Sequence, residues 1–270
     1  MENTGRYNFA LYEVLSSMKT SVYVINPLHL KRSIGLLRGK NDKIDSQRIC
    51  FFIEKNYMDL ELWNSVSIEL QKISLLNAEG PHRVKIKSGL LQQLQDFKQL
   101  KKLEDKEIIN LNQQLISTLN KQIKSIENKI VNLINENVEL KNQYQRIQTI
   151  PGVGKVLETS MIVKTKGFTD IKTACKMACY SGVAPFDHRS GSSIYHKPRV
   201  STMADKELKK VLHLAALSTI RLDNDLAKFN KRKVEQGKNK MSVLNAIRNE
   251  IIHRIYAIIK NNSVYNFNLS

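Results

Sequence analysis

The most regular hydrophobic pattern in the chain is a heptad repeat in its middle. Apolar positions recur there in alternating steps of four and three residues. This spacing predicts a coiled coil, within one helix from about residue 90 to residue 147 that would be roughly 80 Å long. The seam consists of Leu119, Ile123, Ile126, Ile130, Leu133, Asn137, Leu140, Tyr144 and Ile147.

Asn137 occupies an a position of this seam. A buried Asn at such a position tends to fix the register of a coiled coil and to favour two strands. The coiled coil could form between two subunits or fold back as a hairpin within one chain. Because the sequence offers a poor uncharged break for a hairpin, the pattern favours a dimer.

The N-terminal part alternates between strand-like and helix-like patterns. Residues 21–25 form a β-rich run that Asn26 and Pro27 end, and a short helix is expected from about Leu28 to Leu37. This alternation predicts an α/β sheet with some parallel strands. Two strands do not make a stable sheet by themselves, so this part is expected to be incomplete.

The remaining segments read as helices, which predicts an all-α C-terminal domain. Gly80 and Pro81 are expected to end a helix over residues 60–77. The stretch 149–154, Thr-Ile-Pro-Gly-Val-Gly, is similar to a helix-hairpin-helix turn. Its glycines would let the backbone approach a phosphate, and the following helix start favours an anion. Further helices are expected over residues 155–163, 171–180, 206–223 and 241–260, before a loose polar tail.

Charge narrows the class of partner. The formal net charge of +18 over 270 residues implies a polyanion, with nucleic acid first and an anionic membrane second. No apolar run has the length of a membrane span and no signal peptide is expected, so no membrane partner is expected. The basic segments are candidates for phosphate contacts, with solvated charge as the alternative. The candidate nucleic-acid contacts are Arg83, Lys85, Lys87, Gly152, Gly154, Lys155, Arg189, Lys197, Arg199, Lys231, Arg232 and Lys238.

The three cysteines, Cys50, Cys175 and Cys179, are few and odd in number. This usage is typical of a reducing compartment. Cys175 and Cys179 lie four residues apart on an expected helix. They are interpreted as small core residues, because a metal site would need two further ligands close by.

Asp42 and Asp45 stand at the start of an expected helix, where both carboxylates fall on one face. Helix capping explains them, with Asn41 or Asp42 as the N-cap and Asp45 favourable in the first turn. The alternative is metal ligation. Hard divalent ions prefer carboxylate oxygens, and Glu2 at a strand end could supply a third ligand.

Residues 189–193, Arg-Ser-Gly-Ser-Ser, are expected to form a loop between an apolar run and a basic segment. A polar surface turn is the simpler interpretation of such a loop. The functional alternative is a serine hydroxyl that meets a phosphate, with Arg189, His196, Lys197 and Arg199 nearby.

An ordered set of short motifs covers nearly the whole chain. The N-terminal motifs are Glu2–Tyr7 (Glu-x-Thr-Gly-x-Tyr), Val24–Pro27 (Val-x-Asn-Pro) and Lys40–Asp45 (Lys-Thr-Asp-x-x-Asp, with Asn41 in place of Thr). The C-terminal motifs are Ile150–Gly154, Gly182–Pro185, Ser190–Ser193 and Gly237–Lys238. In this order they resemble the insertion-sequence transposases with a DEDD, RuvC-like nuclease domain and a serine-bearing C-terminal domain, the IS110, IS116 and IS902 group.

The resemblance implies a domain plan. Residues 1–65 would be a partial RuvC-like (RNase H-type) α/β nuclease domain, and residues 66–147 a coiled-coil dimerisation segment. Residues 148–262 would be the all-α transposase domain with its helix-hairpin-helix-like turn, followed by a tail over 263–270.

The resemblance also implies a chemistry. Glu2, Asp42 and Asp45 would hold Mg²⁺, and Ser190 would be the nucleophile, with Ser192 and Ser193 as its nearest competitors. The partners would be donor and target DNA, a second copy of the chain and, as in some members, a structured guide RNA. Such a protein is expected in the bacterial or archaeal cytoplasm, associated with the nucleoid.

One departure from the family affects the expected activity. The family's first acidic ligand precedes the Glu-x-Thr-Gly segment, and this chain begins at that segment. The expectation is either an internal start or a truncated remnant with doubtful activity. Two alternative functions follow: a non-catalytic dimer that binds nucleic acid, and a RuvC-type junction nuclease that does not use Ser190.

Overall fold

The computed structural model of the protein describes residues 1–3, 5–18, 20–34, 41–99, 106–190 and 194–266. The chain divides into two compact units, residues 1–67 and residues 68–270. Within the described ranges, no helix has both the length and the apolar character that crossing a membrane requires.

The described part of the first unit contains three helices and two extended segments that meet in parallel. The helices are α1 (Phe9–Ser17), α2 (Pro27–Ile34) and α3 (Asp42–Asn56), and 3₁₀ turns lie at Gly5–Asn8 and Tyr57–Asp59. Glu2 and Ile25 form a parallel bridge, in which Asn3 N donates to Ile25 O and Ile25 N to Met1 O, each at 2.9 Å. The predicted parallel pairing is present as this bridge, and the β-rich run of residues 21–25 forms no longer strand.

Trp63 closes the first unit on itself. Its ring stacks on Tyr12 with centroids 4.9 Å apart and planes 13° apart. Its backbone N–H donates to Val22 O at 2.7 Å. Because Trp63 is the single tryptophan of the chain, its fluorescence reports on this unit alone.

Asn41 caps α3. Its side-chain oxygen accepts a hydrogen bond from Ile44 N at 2.8 Å, and its backbone is extended. Asp42 and Asp45 both lie in the first turn, where they favour the positive end of the helix dipole. The capping interpretation is therefore confirmed for Asn41.

The helices α4 (Ile68–Gln99) and α5 (Lys106–Glu136) form an antiparallel hairpin within one chain. Arg83 Nε donates to Gln122 Oε1 and Lys87 Nζ to Asn120 Oδ1, both at 3.1 Å, so later residues of α4 meet earlier residues of α5. The predicted single helix from residue 90 to 147 is therefore wrong. A heptad seam specifies that a helix packs, but it does not specify its partner, which for α5 is α4.

Two residues play roles that differ from the predicted ones. Asn137 is the N-cap of α6 (Val138–Gln148) and not an a-position residue, because its side chain accepts from Leu140 N at 3.1 Å. A short amide side chain that competes for backbone donors ends α5 there. Gly80 and Pro81 lie inside α4 and do not end a helix. Packing of α4 on α5 outweighs the roughly 3 kcal/mol by which an interior proline disfavours a helix.

The helix α11 (Lys240–Asn261) is the centre of the second unit. It contacts α6, α8 (Ala174–Tyr180), α9 (Lys206–Thr219) and α10 (Asp225–Glu235), while α7 (Lys155–Lys164) packs on α4, α6 and α9. Ile247, Ile251 and Ile255 are fully buried along one stripe of α11, as its apolar spacing predicts. Burying each such side chain contributes about 1.5–3 kcal/mol.

A β-hairpin interrupts the helices of the second unit. Strand β1 (Phe186–Ser190) pairs antiparallel with strand β2 (Ile194–Arg199). The predicted helical character of this part is confirmed elsewhere, but the all-α description is wrong here. These strands are short and carry mixed polar residues, so the periodicity of the sequence does not reveal them.

Within the tail, Tyr265 N donates to Thr149 Oγ1 at 2.8 Å. One smaller prediction, about the cysteines, is corrected. Cys175 is exposed and Cys179 partly buried, so Cys175 is not a core residue.

Candidate nucleic-acid interface

Ser190 lies at the last backbone pair of the β1–β2 hairpin. It pairs with Ile194, one step beyond the pair of Arg189 and Tyr195. Its neighbours Ser192 and Ser193 lie outside the described residues, as do the side chains of Arg189, Ser190 and Lys197. The backbone of the candidate nucleophile thus lies at the end of the paired part of a two-stranded arm.

The root of this arm is fixed to α9 and α11. Gly182 has a φ of +65°, and a Cβ at this position would lie 2.6 Å from Ala204 Cβ. Asn245 Nδ2 on α11 donates to Val183 O at 2.7 Å. Asp205 N, at the start of α9, donates to Tyr180 O at 2.8 Å. The hairpin therefore projects from a rigid base.

Arg199 lies at the base of the arm, paired with Phe186, and its side chain is exposed. Of the three predicted basic contacts in this segment, it is the one whose side chain the structure describes. An exposed guanidinium at this position is available to a phosphate.

The two glycines of the turn between α6 and α7 have different surroundings. Gly152 has a φ of +81°, and a Cβ there would lie 2.2 Å from Thr219 Oγ1 and 2.6 Å from the Thr219 backbone. Gly152 is thus required for packing against α9. Gly154 has no atom within 4 Å of its Cβ position and starts α7 without a side-chain cap. Exposed Lys155 lies next to this helix start, and contact with an anion there stays a prediction.

Glu158 lies buried in the first turn of α7, where it is 1% exposed. Burial raises the pKa of its carboxyl to about 7, although the nearby Tyr144 hydroxyl and Lys155 ammonium favour the charged form. The Oε2 atom has no hydrogen-bond partner of good geometry within the described part of the chain. This carboxyl therefore changes charge near neutral pH, beneath the exposed start of α7.

The predicted basic edge around α10 is exposed. Lys231 and Arg232 lie on α10, and Lys238 follows it. The Arg232 guanidinium lies 5.9 Å from the centre of the Phe229 ring, which limits its rotamers. Solvated cations held near one another in this way are suited to contact a nucleic-acid backbone.

The predicted contacts on α4 have different roles. Arg83 pairs with Glu79 one turn earlier and bonds to Gln122, and Lys87 bonds to Asn120. These two side chains stabilise the hairpin of α4 and α5. Lys85 is exposed on another face of the helix.

The predicted metal ligands belong to the first unit. Glu2 is partly exposed at the parallel bridge, Asp42 is exposed, and Asp45 Oδ1 accepts from Arg48 Nη1 at 2.9 Å. Carboxylate oxygens are donors that Mg²⁺ prefers, so the residue types fit the ion. No cluster of three or more His, Cys, Asp or Glu side chains that could hold a metal occurs in the described ranges.

A basic cluster that sequence reasoning missed lies between α9 and α11. Lys209 and His213 of α9 face Arg248 of α11, which is 5% exposed. The available signal is that Arg248 interrupts the buried stripe of α11 directly after Ile247. A cation within an apolar stripe is unusual, because a buried charge is costly without a partner.

Comparison with known proteins agrees with these features. Residues 144–231, from α6 to α10, match the model of the Transposase IS116/IS110/IS902 family. The chain is 27% identical over 268 residues to the pilin gene-inverting protein of Moraxella bovis, covering 97% of this chain and 80% of that protein. The Moraxella lacunata protein of the same name is 27% identical over the same shares. A 43.6 kDa protein of insertion element IS110 from Streptomyces coelicolor is 26% identical over 121 residues, covering 44% of this chain and 29% of that protein.

The described structure is mostly helical and carries a short β-arm. Over residues 144–231 the chain is similar to the IS116/IS110/IS902 transposase family, and over 268 residues it is similar to the pilin gene-inverting protein of Moraxella bovis.

Proposed function

We propose that the protein is a recombinase that cuts and rejoins DNA through a serine nucleophile. The observation that carries the proposal is the position of Ser190 at the end of a β-arm, inside a family match that spans residues 144–231. The names of the relatives, a pilin gene-inverting protein and an insertion-element protein, support DNA as the substrate.

In this proposal the Ser190 hydroxyl is the attacking group. It loses its proton, and its oxygen forms a bond to the phosphorus of the scissile phosphodiester. The bond from phosphorus to one deoxyribose oxygen breaks, and that oxygen takes up a proton and leaves as a hydroxyl. The phosphoserine diester keeps the bond energy, so attack by a strand hydroxyl can reseal the DNA and free Ser190.

We further propose that Glu2, Asp42 and Asp45 contribute to a Mg²⁺ site. A bound Mg²⁺ would polarise the phosphate and stabilise the charge of the displacement. Asp45 would then exchange its ion pair with Arg48 for the cation.

The proposed partners are donor and target DNA, a structured guide RNA and a second copy of the chain. The net charge of +18, the exposed cations of α10 and the open start of α7 support binding to nucleic acid. Light scattering should give a mass twice that of the 31.0 kDa chain, and a monomer would contradict the dimer.

The decisive experiment traps the covalent intermediate. The purified chain is incubated with Mg²⁺, RNA from its host and labelled DNA that flanks the gene, and adducts are resolved under denaturing conditions. We expect an adduct that Ser190→Ala abolishes and that Ser192→Ala and Ser193→Ala retain. An adduct that survives in Ser190→Ala would refute the assignment of the nucleophile.

A binding protein without cleavage is the second candidate. The observation that favours it is the engagement of the Asp45 carboxylate by Arg48, which leaves that oxygen bonded to a cation of the same helix. It predicts tight nucleic-acid binding, no adduct with any variant, and no saturable Mg²⁺ binding by calorimetry.

A further inference from the structure

Three basic side chains meet between α9 and α11. Arg248 Nη2 lies 3.1 Å from His213 Nδ1, and Arg248 Nη1 donates to Asn245 Oδ1 at 3.3 Å. Lys209 lies one helical turn before His213, and burial, followed by the charge of Arg248, lowers the pKa of its ammonium. Arg248 is 5% exposed, and its Nε–H has no hydrogen-bond partner among the described residues.

The bond to Arg248 fixes the tautomer of His213. An arginine can only donate, so His213 Nδ1 must accept with its lone pair. The proton of the neutral ring is therefore on Nε2, which remains a donor. Burial, and then the charge of Arg248, lower the pKa of His213 below its usual value. The cluster thus offers donors from Arg248, His213 and Lys209 together.

Arg254, on the same helix, shows how this fold neutralises another partly buried guanidinium. Arg254 pairs with Asp225, and its Nε lies 3.1 Å from Glu250 Oε1. Arg248 is buried, yet none of the described carboxylates forms an ion pair with it. Asp205, at the start of α9, is occupied by Lys164 at 2.6 Å. A buried charge without a counterion is strongly unfavourable, so an anion from outside would stabilise this site.

The cluster is accessible and lies at the base of the β1–β2 arm. Lys209 and His213 are partly exposed above Arg248. The Lys209 side chain lies over the Gly182 turn, with Cδ 3.8 Å from the position of a Cβ there. Asn245, which accepts from Arg248, also donates to Val183 O three residues before β1. An anion bound here would therefore contact the segment that positions Ser190.

We propose that Lys209, His213 and Arg248 bind a phosphodiester of the nucleic-acid backbone at the base of the β1–β2 arm. The inference rests on the proposed function and names a contact that holds the strand beside the arm. A guanidinium offers a fork of donors that suits phosphate oxygens, and an ammonium adds a point charge. Such a contact positions a strand without reading its sequence.

The first experiment measures binding of the full chain to labelled duplex DNA and to labelled single-stranded RNA. Binding is followed by fluorescence anisotropy over a range of salt concentrations. The variants are Arg248→Met and Lys209→Gln. The matched control is Lys210→Gln, which removes the same charge from the neighbouring exposed position. We expect a loss of affinity of about tenfold for Arg248→Met. On duplex DNA, each of the two variants should also reduce the slope of log affinity against log salt concentration by the equivalent of about one phosphate contact. The control should change this slope little.

The second experiment measures thermal unfolding with and without inorganic phosphate. Phosphate should raise the melting temperature of the wild type and of Lys210→Gln, and should leave Arg248→Met unchanged. Without phosphate, Arg248→Met should melt no lower than the wild type, because it removes an uncompensated buried charge. A structural role for Arg248 predicts the opposite, a clear drop in melting temperature with DNA affinity unaffected in Lys209→Gln.

The outcomes separate this inference from the proposed function. If the wild type forms the Ser190 adduct and both cluster variants bind nucleic acid like Lys210→Gln, the inference is refuted and the recombinase proposal stands. If phosphate acts through the cluster while no oligonucleotide binds, the site takes free phosphate and the phosphodiester assignment is refuted. Loss of binding in both cluster variants, with no adduct in any protein, supports the inference and refutes the recombinase proposal.

Discussion

Replacing Gly152 by alanine should destabilise the second unit strongly. The residue has a φ of +81°, where a Cβ costs about 1–2 kcal/mol. That Cβ would also lie 2.2 Å from Thr219 Oγ1 and 2.6 Å from Thr219 N and Cα. Because two of these atoms belong to the backbone of α9, the helix itself must move, at about 1–3 kcal/mol.

These two contributions add to about 2–5 kcal/mol, a large share of the 5–15 kcal/mol that stabilise a typical protein. For a unit of this size, each kcal/mol lowers the melting temperature by about 2–4 °C. Thermal unfolding followed by circular dichroism should therefore show a decrease of roughly 10 °C for Gly152→Ala. Adding Thr219→Ala should restore little, since the overlap with the backbone remains.

Gly154→Ala is the matched control two residues away. Its Cβ position has no atom within 4 Å, and an alanine at an N-cap costs less than about 1 kcal/mol relative to glycine. If Gly152→Ala melts at the same temperature as Gly154→Ala, the close approach to Thr219 does not determine this turn. A loss of DNA affinity in Gly154→Ala without a change in melting temperature would locate a phosphate at the start of α7.

Two further predictions concern helix ends. Asn41→Ala should destabilise the first unit by about 1 kcal/mol, measured by Trp63 fluorescence during urea unfolding; an unchanged midpoint would show that the cap is not needed. Glu158 has a folded pKa of about 7, above its usual 4.5, so the folded chain holds the extra proton and stability should fall as pH rises through this window. Glu158→Gln should remove this dependence and raise stability at pH 8 by roughly 1–3 kcal/mol; an unchanged pH profile of the melting temperature would contradict the assignment.

Local sequence signals predicted the parts of the fold that local interactions determine. The stripe of Ile247, Ile251 and Ile255 predicts α11, and Asn41 before Asp42 predicts the start of α3. Both follow from contacts within a few residues. The C-terminal motifs likewise indicated the resemblance, because Ile150–Gly154, Gly182–Pro185 and Ser190–Ser193 lie within the range that matches the family model.

Features that depend on distant residues were not predictable in this way. The apolar seam of α5 packs on α4. The sequence that connects these two helices carries no distinct hairpin signal, so this pairing was not predictable. Glycine is required at position 152 because Thr219, 67 positions later, lies against it. The sequence alone does not distinguish a turn glycine that packs on a helix from one that contacts a phosphate. The environment of Arg248 depends on His213 of another helix, and spacing cannot show that its counterion is missing.

Thr219 links three neighbouring segments of the second unit through hydrogen bonds. Its hydroxyl lies 3.1 Å from Pro151 O and 2.9 Å from Ala215 O, and its own carbonyl accepts from the Asn224 side chain that caps α10. The turn before α7, the end of α9 and the start of α10 are therefore joined at one residue. In amide hydrogen exchange they would open as a single cooperative unit, so a ligand that settles on the start of α7 would slow exchange in two helices it never touches.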